Sequence, residues 1–406
     1  MKTCTLQQLS KSITSGATPF RGNPEFWLNG TIPWLKTEQL GERNIYNTNE
    51  KITEKALSKT SVRLNPVNTI SIAMYGEGKT RGNVSIIRKE MATNQACCNV
   101  VLDPTLADSG YVYYFLKNQY QNLRALSSGV RKNLNSSDIK NFTIILPATI
   151  THQEKISQVL AVLDDKIELN NQINEELEAM AKLLYDYWFV QFDFPITAAQ
   201  AAAMGKPRLE GKPYRASGGK MIYNDALNRE IPDGWDILRV GDVLAKELRT
   251  KNILSSEIVD KGQIPVIDQG STFICGYTDN EESKINETPK IVFGDHTRIL
   301  KFINFPFARG ADGTQILTSR EDRLPQHLFF YQLLNIDLSS YGYARHFKFL
   351  KDQKVVLPDL VTASAFEEYA ASLYTKIKNN IFQNQELTEL RDWLLPMLMN
   401  GQVTVK

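Results

Sequence analysis

The sequence predicts an α+β fold: two similar globular α/β blocks separated by two long helices that form an antiparallel coiled coil, as a pseudo-twofold internal duplication. Three observations predict it. The phrase "KIELNNQINEEL" (166–177) returns 210 positions later as "KIKNNIFQNQEL" (376–387), with six of twelve residues identical. Each phrase lies on a stretch whose apolar residues recur at alternating spacings of three and four, the pattern of a coiled-coil seam. Upstream of each stretch, similar segments follow one another in the same order.

Taken in chain order, the repeat opens on Ile-Pro after glycine, "GTIPWLKTEQL" (30–40) and "GQIPVIDQGS" (262–271). A strand running into a Gly-containing turn with Thr-Arg comes next, "TISIAMYGEGKTRGNV" (69–84) and "KIVFGDHTRILKF" (290–302). Aromatic helical segments follow, "YVYYFLKNQY" (111–120) and "HLFFYQLLN" (327–335), each leading to a loop with a basic tip, "SSGVRKN" (127–133) and "SYGYARHF" (340–347). A strand closed by Leu-Pro precedes each long helix, "NFTIILP" (141–147) and "QKVVLPDL" (353–360). No third copy exists, so the chain is a two-unit duplication and not a solenoid. The boundaries that follow are a first block at 1–150, a helix at 151–190, a linker at 191–230, a second block at 231–360, a second helix at 361–400 and a tail at 401–406.

From Thr151 the first helical stretch has no Gly or Pro for almost forty residues. Its seam is Ile156, Leu160, Leu163, Ile167, Leu177, Leu184 and Trp188, interrupted by Asn170 and Asn174. The second seam is Phe366, Ala370, Leu373, Ile377, Leu387 and Leu394, interrupted by Asn380 and Asn384. A seam asparagine costs stability but fixes register, because only one alignment supplies its partner. Matching defects predict that the two helices pack on each other. The first helix enters the second block and the second helix leaves it, so the pair runs antiparallel. Each helix is expected to open with a capping box, Thr151-x-x-Glu154 and Ser364-x-x-Glu367. About 38 helical residues at ~1.5 Å each make a rod of roughly 57 Å, longer than one ~34 Å turn of B-DNA.

Composition limits the function. At 406 residues the chain needs two or more cores. No run approaches 18 apolar residues and "MKTCTLQQLSKS" has no apolar signal core, so a soluble cytoplasmic protein with no membrane partner is expected. Cys4, Cys97, Cys98 and Cys275 form no Cys-x-x-Cys, which points to neither disulfides nor a zinc site. The net charge of +2 conceals a segregation: residues 1–150 hold 18 Lys/Arg against 10 Asp/Glu (+8), and residues 151–193 hold 3 against 9 (−6). The first block is suited to a polyanion.

No catalytic, metal or cofactor site is legible. There is neither a Gly-rich cofactor loop after a strand nor an Asn/Asp-Pro-Pro-aromatic strip for a flipped base. Glu77-x-Lys79, Glu210-x-Lys212 and Glu282-x-Lys284 lack the further carboxylate that a nuclease metal needs and read as solvated pairs. Asp312 in "GADGT" reads as a structural turn.

Binding chemistry is better supplied. Arg and Lys suit guanine edges, Asn and Gln suit adenine, and Lys, Arg, Ser/Thr and backbone amides hold phosphates. Such residues stand on loops that strands have just ended. In the first block they are Lys36, Thr37, Tyr75, Lys79, Thr80, Arg81, Asn83, Arg131, Lys132 and Asn133. In the second they are Gln269, His296, Thr297, Arg298, Arg309, Gln315, Tyr343, Arg345 and His346. Recurrence at equivalent places strengthens the set beyond any single surface arginine.

The linker "YWFVQFDFP" with "GKPYRASGGKMIYNDALNREIPDGW" (187–195, 211–235), "NPEFWLNGTIPWLKTEQL" (23–40) and "FGDHTRILKFINFPFARGADGTQIL" (293–317) resemble the specificity subunit of type I restriction-modification enzymes. The resemblance covers nearly the whole chain. It implies two target-recognition domains, each reading one half of a bipartite double-stranded DNA site, held apart by the two helices. It also implies that the helices dock modification subunits, that restriction subunits join for cleavage, and that the chain itself is not catalytic. Two other classes stay open at this stage: a single-chain methyltransferase or nuclease, which would bind S-adenosylmethionine alone, and a coiled-coil scaffold for proteins, whose binding would be insensitive to salt.

Overall fold

The structure is a computed structural model and describes residues 1–76, 78, 80–126, 133–247, 250–310, 313–342 and 345–405. Contacts divide the chain into two compact units, Met1–Leu169 with Gln383–Lys406, and Asn170–Phe382. In chain order the elements begin with β1 (Lys2–Thr5), β2 (Ser10–Ser15), β3 (Ile32–Leu35), β4 (Asn44–Ile45), β5 (Glu50–Ile52), α1 (Glu54–Lys59), β6 (Ile70–Ala73), β7 (Val84–Ile87), β8 (Ala92–Thr93) and β9 (Cys97–Leu102). Next come α2 (Ser109–Asn118), α3 (Tyr120–Ala125), α4 (Ser136–Lys140), β10 (Thr143–Leu146) and the long α5 (Ile150–Tyr185). The second half holds α6 (Ala198–Ala203), β11 (Met221–Asn224), β12 (Arg229–Pro232), β13 (Asp236–Arg239), α7 (Val240–Val243), β14 (Ile264–Ile267), β15 (Gly276–Thr278), β16 (Lys284–Ile285), β17 (Lys290–Gly294) and β18 (Leu300–Ile303). It closes with β19 (Phe307–Arg309), β20 (Thr314–Leu317), α8 (Gln326–Leu334), α9 (His346–Asp352), β21 (Lys354–Leu357) and the long α10 (Leu360–Met399).

Strand pairing repeats the duplication. In the first unit β3 lies between antiparallel β5 and parallel β8, and in the second β14 lies between antiparallel β15 and parallel β19. Likewise β6 sits between antiparallel β7 and β9, and β17 between antiparallel β18 and β20. First and last strands close each unit, β1 on β10 and β13 on β21, and the last strand of each pair leads into a long helix.

The cores follow from the aromatic helices. In α2, Tyr111, Tyr113 and Tyr114 are fully buried, and α8 is buried along nearly its whole length, as expected of helices apolar all round. Both are tied to a long helix within their own unit. The Asp108 carboxylate caps α2 by accepting from the Tyr111 amide (2.8 Å) and also accepts from Ser157 Oγ of α5 (2.8 Å). The His327 amide at the start of α8 donates to the Glu367 carboxylate of α10 (3.1 Å), and His327 Nδ1 lies 2.7 Å from its other oxygen.

Each unit contains one half of each long helix, paired antiparallel. In the first, Arg391 Nη1 donates to Asp164 Oδ1 (2.7 Å), while Leu395 and Leu398 share a core with Leu160 and Ile156. In the second, Asn380 Nδ2 donates to Asn174 Oδ1 (2.8 Å), and Tyr185 meets Phe366 with ring centroids 6.3 Å apart. Asn170 is fully buried. Leu177 and Ile377 are buried, and Leu163, Ile167, Leu184, Leu373, Asn384, Leu387 and Leu394 are half-buried.

The expected capping boxes are displaced. The first helix already includes Ile150, so Thr151 lies inside its first turn. At α10 the cap is Asp359, whose carboxylate accepts from the Thr362 amide (2.9 Å) and hydroxyl (2.8 Å), five positions before Ser364. An Asp that reaches the third following amide satisfies the free donors one turn earlier than the Ser-x-x-Glu pattern does.

Residues 191–230 pack into the second unit. Phe194 stacks on Tyr214 (centroids 4.6 Å) and on Trp235 (5.1 Å), and the Arg229 guanidinium lies 4.4 Å over the Phe192 ring. A Cβ on Gly219 would stand 2.4 Å from the Tyr214 ring, so the glycine in "SGG" is required by close approach.

Candidate nucleic-acid interface

In the first unit the β6–β7 hairpin is closed by reciprocal bonds, Ala73 N–H to Asn83 O and Gly82 N–H to Ala73 O, both 2.9 Å. Ten residues, 74–83, form its tip. Tyr75 is exposed, and Thr80 and Arg81 are half-buried. The turn needs Gly76, at φ +139°, where a Cβ would also meet Thr80 at 2.7 Å. Arg124 of α3 braces the tip: its guanidinium donates to the Gly78 carbonyl (2.8 Å), the Arg81 carbonyl (3.4 Å) and Tyr120 Oη (2.5 Å).

Other first-block candidates have internal partners. The Asn83 side-chain amide donates to the Leu40 carbonyl (3.0 Å). Lys36 lies between Glu38 (2.6 Å) and Glu50 (2.8 Å), whose hydrogen bonds, Glu38 first, hold its ammonium above the ordinary range. Thr37 and Asn133 are half-buried. Lys79, Arg131 and Lys132 lie outside the described residues.

In the second unit the β17–β18 hairpin closes through Gly294 N–H to Ile299 O and Arg298 N–H to Gly294 O, both 2.8 Å. Its tip is only five residues, 295–299. His296, Thr297 and Arg298 are exposed, and Arg298 takes the left-handed conformation at φ +63°. Gly294 is required, since a Cβ there would fall 2.0 Å from Thr297 Oγ1. Gln269 is brought to this tip: its Oε1 accepts from the His296 amide (3.2 Å) and its carbonyl from Thr297 Oγ1 (2.6 Å). The Arg298 guanidinium reaches the Leu338 carbonyl (3.3 Å).

His346 is a structural residue. It is buried, with Nδ1 and Nε2 each 3.0 Å from a carbonyl, Asp295 O and Gly342 O. It ties the start of α9 to the tip and leaves Arg345 exposed beside it. Arg309 and Gln315 are half-buried on β19 and β20, with Arg309 Nη2 on the Thr250 carbonyl (3.3 Å). Tyr343 and Asp312 lie outside the described residues.

Residues 1–179 match the family described as the type I restriction modification DNA specificity domain. The chain is 27% identical to the type I restriction enzyme MjaIX specificity subunit of Methanocaldococcus jannaschii, over 97% of this chain and 91% of that protein. The first unit is thus similar to that specificity domain, and nearly the whole chain is similar to type I restriction-enzyme specificity subunits. That similarity supports a role in DNA sequence specificity. Another relative, the HindI specificity subunit of Haemophilus influenzae, is 24% identical over 68% of this chain and 72% of that one. The crystal structure of the S subunit from M. genitalium shares the fold, with a TM-score of 0.56 at 18% identity, covering 98% of this chain and 95% of that chain.

Among the described residues no group of three or more His, Cys, Asp or Glu could hold a metal ion, and no helix is long and apolar enough to cross a membrane. The cysteines are free, and burial pushes the Cys97 and Cys98 thiols up to about 12 and Cys275 up to about 11. Sequence reasoning missed Arg124, whose one local signal is Tyr120 four residues earlier on the same helical face. It also missed Lys301, buried against the Asp268 (2.9 Å) and Thr272 (2.6 Å) carbonyls.

Proposed function

We propose that the chain is a non-catalytic DNA-reading subunit of a type I restriction-modification complex, each unit reading one half of an asymmetric bipartite site. One observation carries the reading. Both units place an arginine-bearing tip on the same hairpin of the same sheet, Arg81 on β6–β7 and Arg298 on β17–β18, yet the tips differ in length and composition. Equivalent scaffolds with unlike tips suit two different half-sites. The reading surface is Tyr75, Thr80 and Arg81 in the first unit, and Gln269, His296, Thr297, Arg298 and Arg345 in the second. Arg309 and Gln315 stand behind the second tip. In the first unit Asn83 closes the tip with Ala73, Lys36 is held by Glu38 and Glu50, and Thr37 and Asn133 are half-buried.

The long helices act in the same proposal as spacer and as docking site for modification subunits, which restriction subunits join. The exposed apolar residues support this. Met180 and Leu183 of α5 are 57% and 69% exposed, and Leu390 and Trp393 of α10, each 210 positions later, are 44% and 59% exposed. Large apolar side chains at repeated positions on a helix suit a packed partner better than water.

The test is DNA binding and methylation mapping with the modification subunits present. Arg81→Ala and Arg298→Ala each weaken recognition by about 1–3 kcal/mol if the side chain reads a base, each at its own half-site alone. Two variants that bind and direct methylation like the parent would exclude these tips as the reading surface. Turnover by the pure chain, abolished by one substitution within it, would exclude a non-catalytic role.

A further inference from the structure

The two units differ at one sheet edge. In the first, β7 is paired on both sides, with β6 on one and β4, parallel, on the other. The Ile86 amide donates to the Arg43 carbonyl (2.7 Å) and the Arg88 amide to the Ile45 carbonyl (2.9 Å). Fourteen residues, 36–49, join β3 to β5 and leave room for β4. In the second unit the corresponding connection from β14 to β15 has eight residues, 268–275, and among the described residues no strand lies on the outer edge of β18.

Register identifies the exposed groups. The Gly294–Ile299 bond makes Val292–Lys301 the next hydrogen-bonded pair, so Leu300 and Phe302 turn their amides and carbonyls away from β17. The Ala73–Asn83 bond sets the same register on β6–β7, which makes Phe302 the counterpart of Ile86, whose amide β4 satisfies.

Outside this edge lies a groove of about 710 Å³ within the second unit, walled by Leu300 and Phe302, by Phe330 of α8, by Ile381 of α10, and by Glu175 and Glu178 of α5. The two lysines of its lining are already held, Lys182 by Asp186 and Lys301 by the Asp268 and Thr272 carbonyls, whereas neither glutamate makes an ion pair among the described residues. In the first unit a cation directly precedes the strand that covers the equivalent edge, where Arg43, the residue before β4, pairs with Asp165 of α5.

We propose that the outer edge of β18 is a docking site for an extended segment of another protein, basic and apolar in character, which adds as a parallel strand as β4 does in the first unit. The amides of Leu300 and Phe302 supply the backbone partners, the groove receives the apolar side chains, and Glu175 and Glu178 receive the cation. A second copy of this chain is a poor occupant, because its own β4 is already paired with β7. The site is independent of the DNA-reading tips.

The experiment uses the full chain and a blocked synthetic peptide of residues 43–48, which contains β4 and carries Arg43 as its one charged residue. Hydrogen exchange is read at Leu300–Asn304, and DNA binding is measured separately so that the two proposals fail independently. Saturating peptide should slow exchange there by at least about tenfold. Leu300→Pro, which removes an outward amide at an edge, should abolish the protection. Glu175→Gln with Glu178→Gln should weaken peptide binding about fivefold while leaving the edge intact. Unchanged exchange at saturating peptide would overturn the proposal. Protection in the free chain that grows with protein concentration would overturn it too, by assigning the edge to a second copy.

Discussion

The first unit locks its two helix segments together through Asp164, and removing that carboxylate should be costly. The Asp164 side chain is 10% exposed and that of Arg391 is 13% exposed. Asp164 accepts from Arg391 Nη1 (2.7 Å) and from Tyr114 Oη (2.6 Å). Burial opposes the Arg391 charge, and Asp164 then Asp392 more than offset it, so the guanidinium is held above its ordinary range. Asp164→Ala leaves that charge with Asp392 alone and removes the acceptor of a buried phenol, which keeps only a long bond from Arg43 Nη1 (3.5 Å). Breaking one partner of a buried pair costs about 3–5 kcal/mol, and the lost Tyr114 bond adds roughly 1. Because Asp392 still accepts from Arg391, at 2.7 and 2.9 Å, the low end applies and the expected total is about 3–4 kcal/mol. At a urea slope of about 2 kcal/mol/M the first unit's midpoint falls by roughly 1.5–2 M. The assay is urea unfolding followed by hydrogen exchange of the Tyr111–Leu116 amides, which lie in the core of that unit. Asp164→Leu with Arg391→Leu should recover most of the loss, since a well-packed apolar pair replaces a buried ion pair at little cost. A midpoint change below about 0.5 M for Asp164→Ala, or a double variant as unstable as the single, would refute the reasoning.

Three more outcomes are expected. Arg124→Ala should weaken binding to the first half-site by about 1–2 kcal/mol without altering which bases are preferred, because the guanidinium holds tip carbonyls; a changed base preference in methylation mapping would contradict this. One heptad added to each long helix keeps the seam in phase and adds 7 × ~1.5 Å, roughly 10.5 Å, or about three base pairs between unchanged half-sites, whereas a four-residue insertion breaks the phase and should damage assembly; an active heptad variant with the parental gap would show that the helices do not set the spacing. With thiols pushed up to about 12, Cys97 and Cys98 should resist iodoacetamide at pH 8 in the native chain and react only on unfolding, as mass spectrometry of the alkylated peptides will show.

Elements carried by local pattern were legible in the sequence. The Leu-Pro strands became β10 and β21, the aromatic segments became α2 and α8, and the repeated phrase marked two helices that pair antiparallel. A seam asparagine found a seam asparagine, Asn174 with Asn380. What stayed hidden depends on partners distant in sequence. His346 reads as a basic loop residue until Asp295, 51 positions away, is seen to accept from its ring. Asn83 reads as an adenine reader, yet it donates to Leu40, 43 positions earlier. Lys36 has Glu50 across the β3–β5 pair, where strand register and not chain proximity makes the contact. Arg124 carries the opposite lesson: it lay on an ordinary helix, and only the folded tip shows what its guanidinium holds.

Within the chain the tips have diverged in length, whereas the helix contacts have kept their places and changed their chemistry. At the junction of aromatic helix and long helix, the first unit uses Tyr114 with Asp164, and the second uses Tyr331 with Tyr374 (3.0 Å), where Tyr374 occupies the position 210 residues after Asp164. The contact is retained and its chemistry has changed, since either pair satisfies a buried phenol. A substitution here must be answered by a neighbour on another element, as Arg391 answers Asp164 and the smaller Ala181 stands 210 residues before Arg391. The hairpin tips face a looser requirement, since Arg124 and Gln269 hold tip backbone groups that any side chain leaves in place. Between the closing residues Ala73 and Asn83, and Gly294 and Ile299, the connections differ in length and composition, nine residues in one unit and four in the other. Coupled positions drift slowly and in pairs, while uncoupled tips drift singly. On the proposed function, a duplicated scaffold of this kind can carry two unlike readers without losing the fold that holds them.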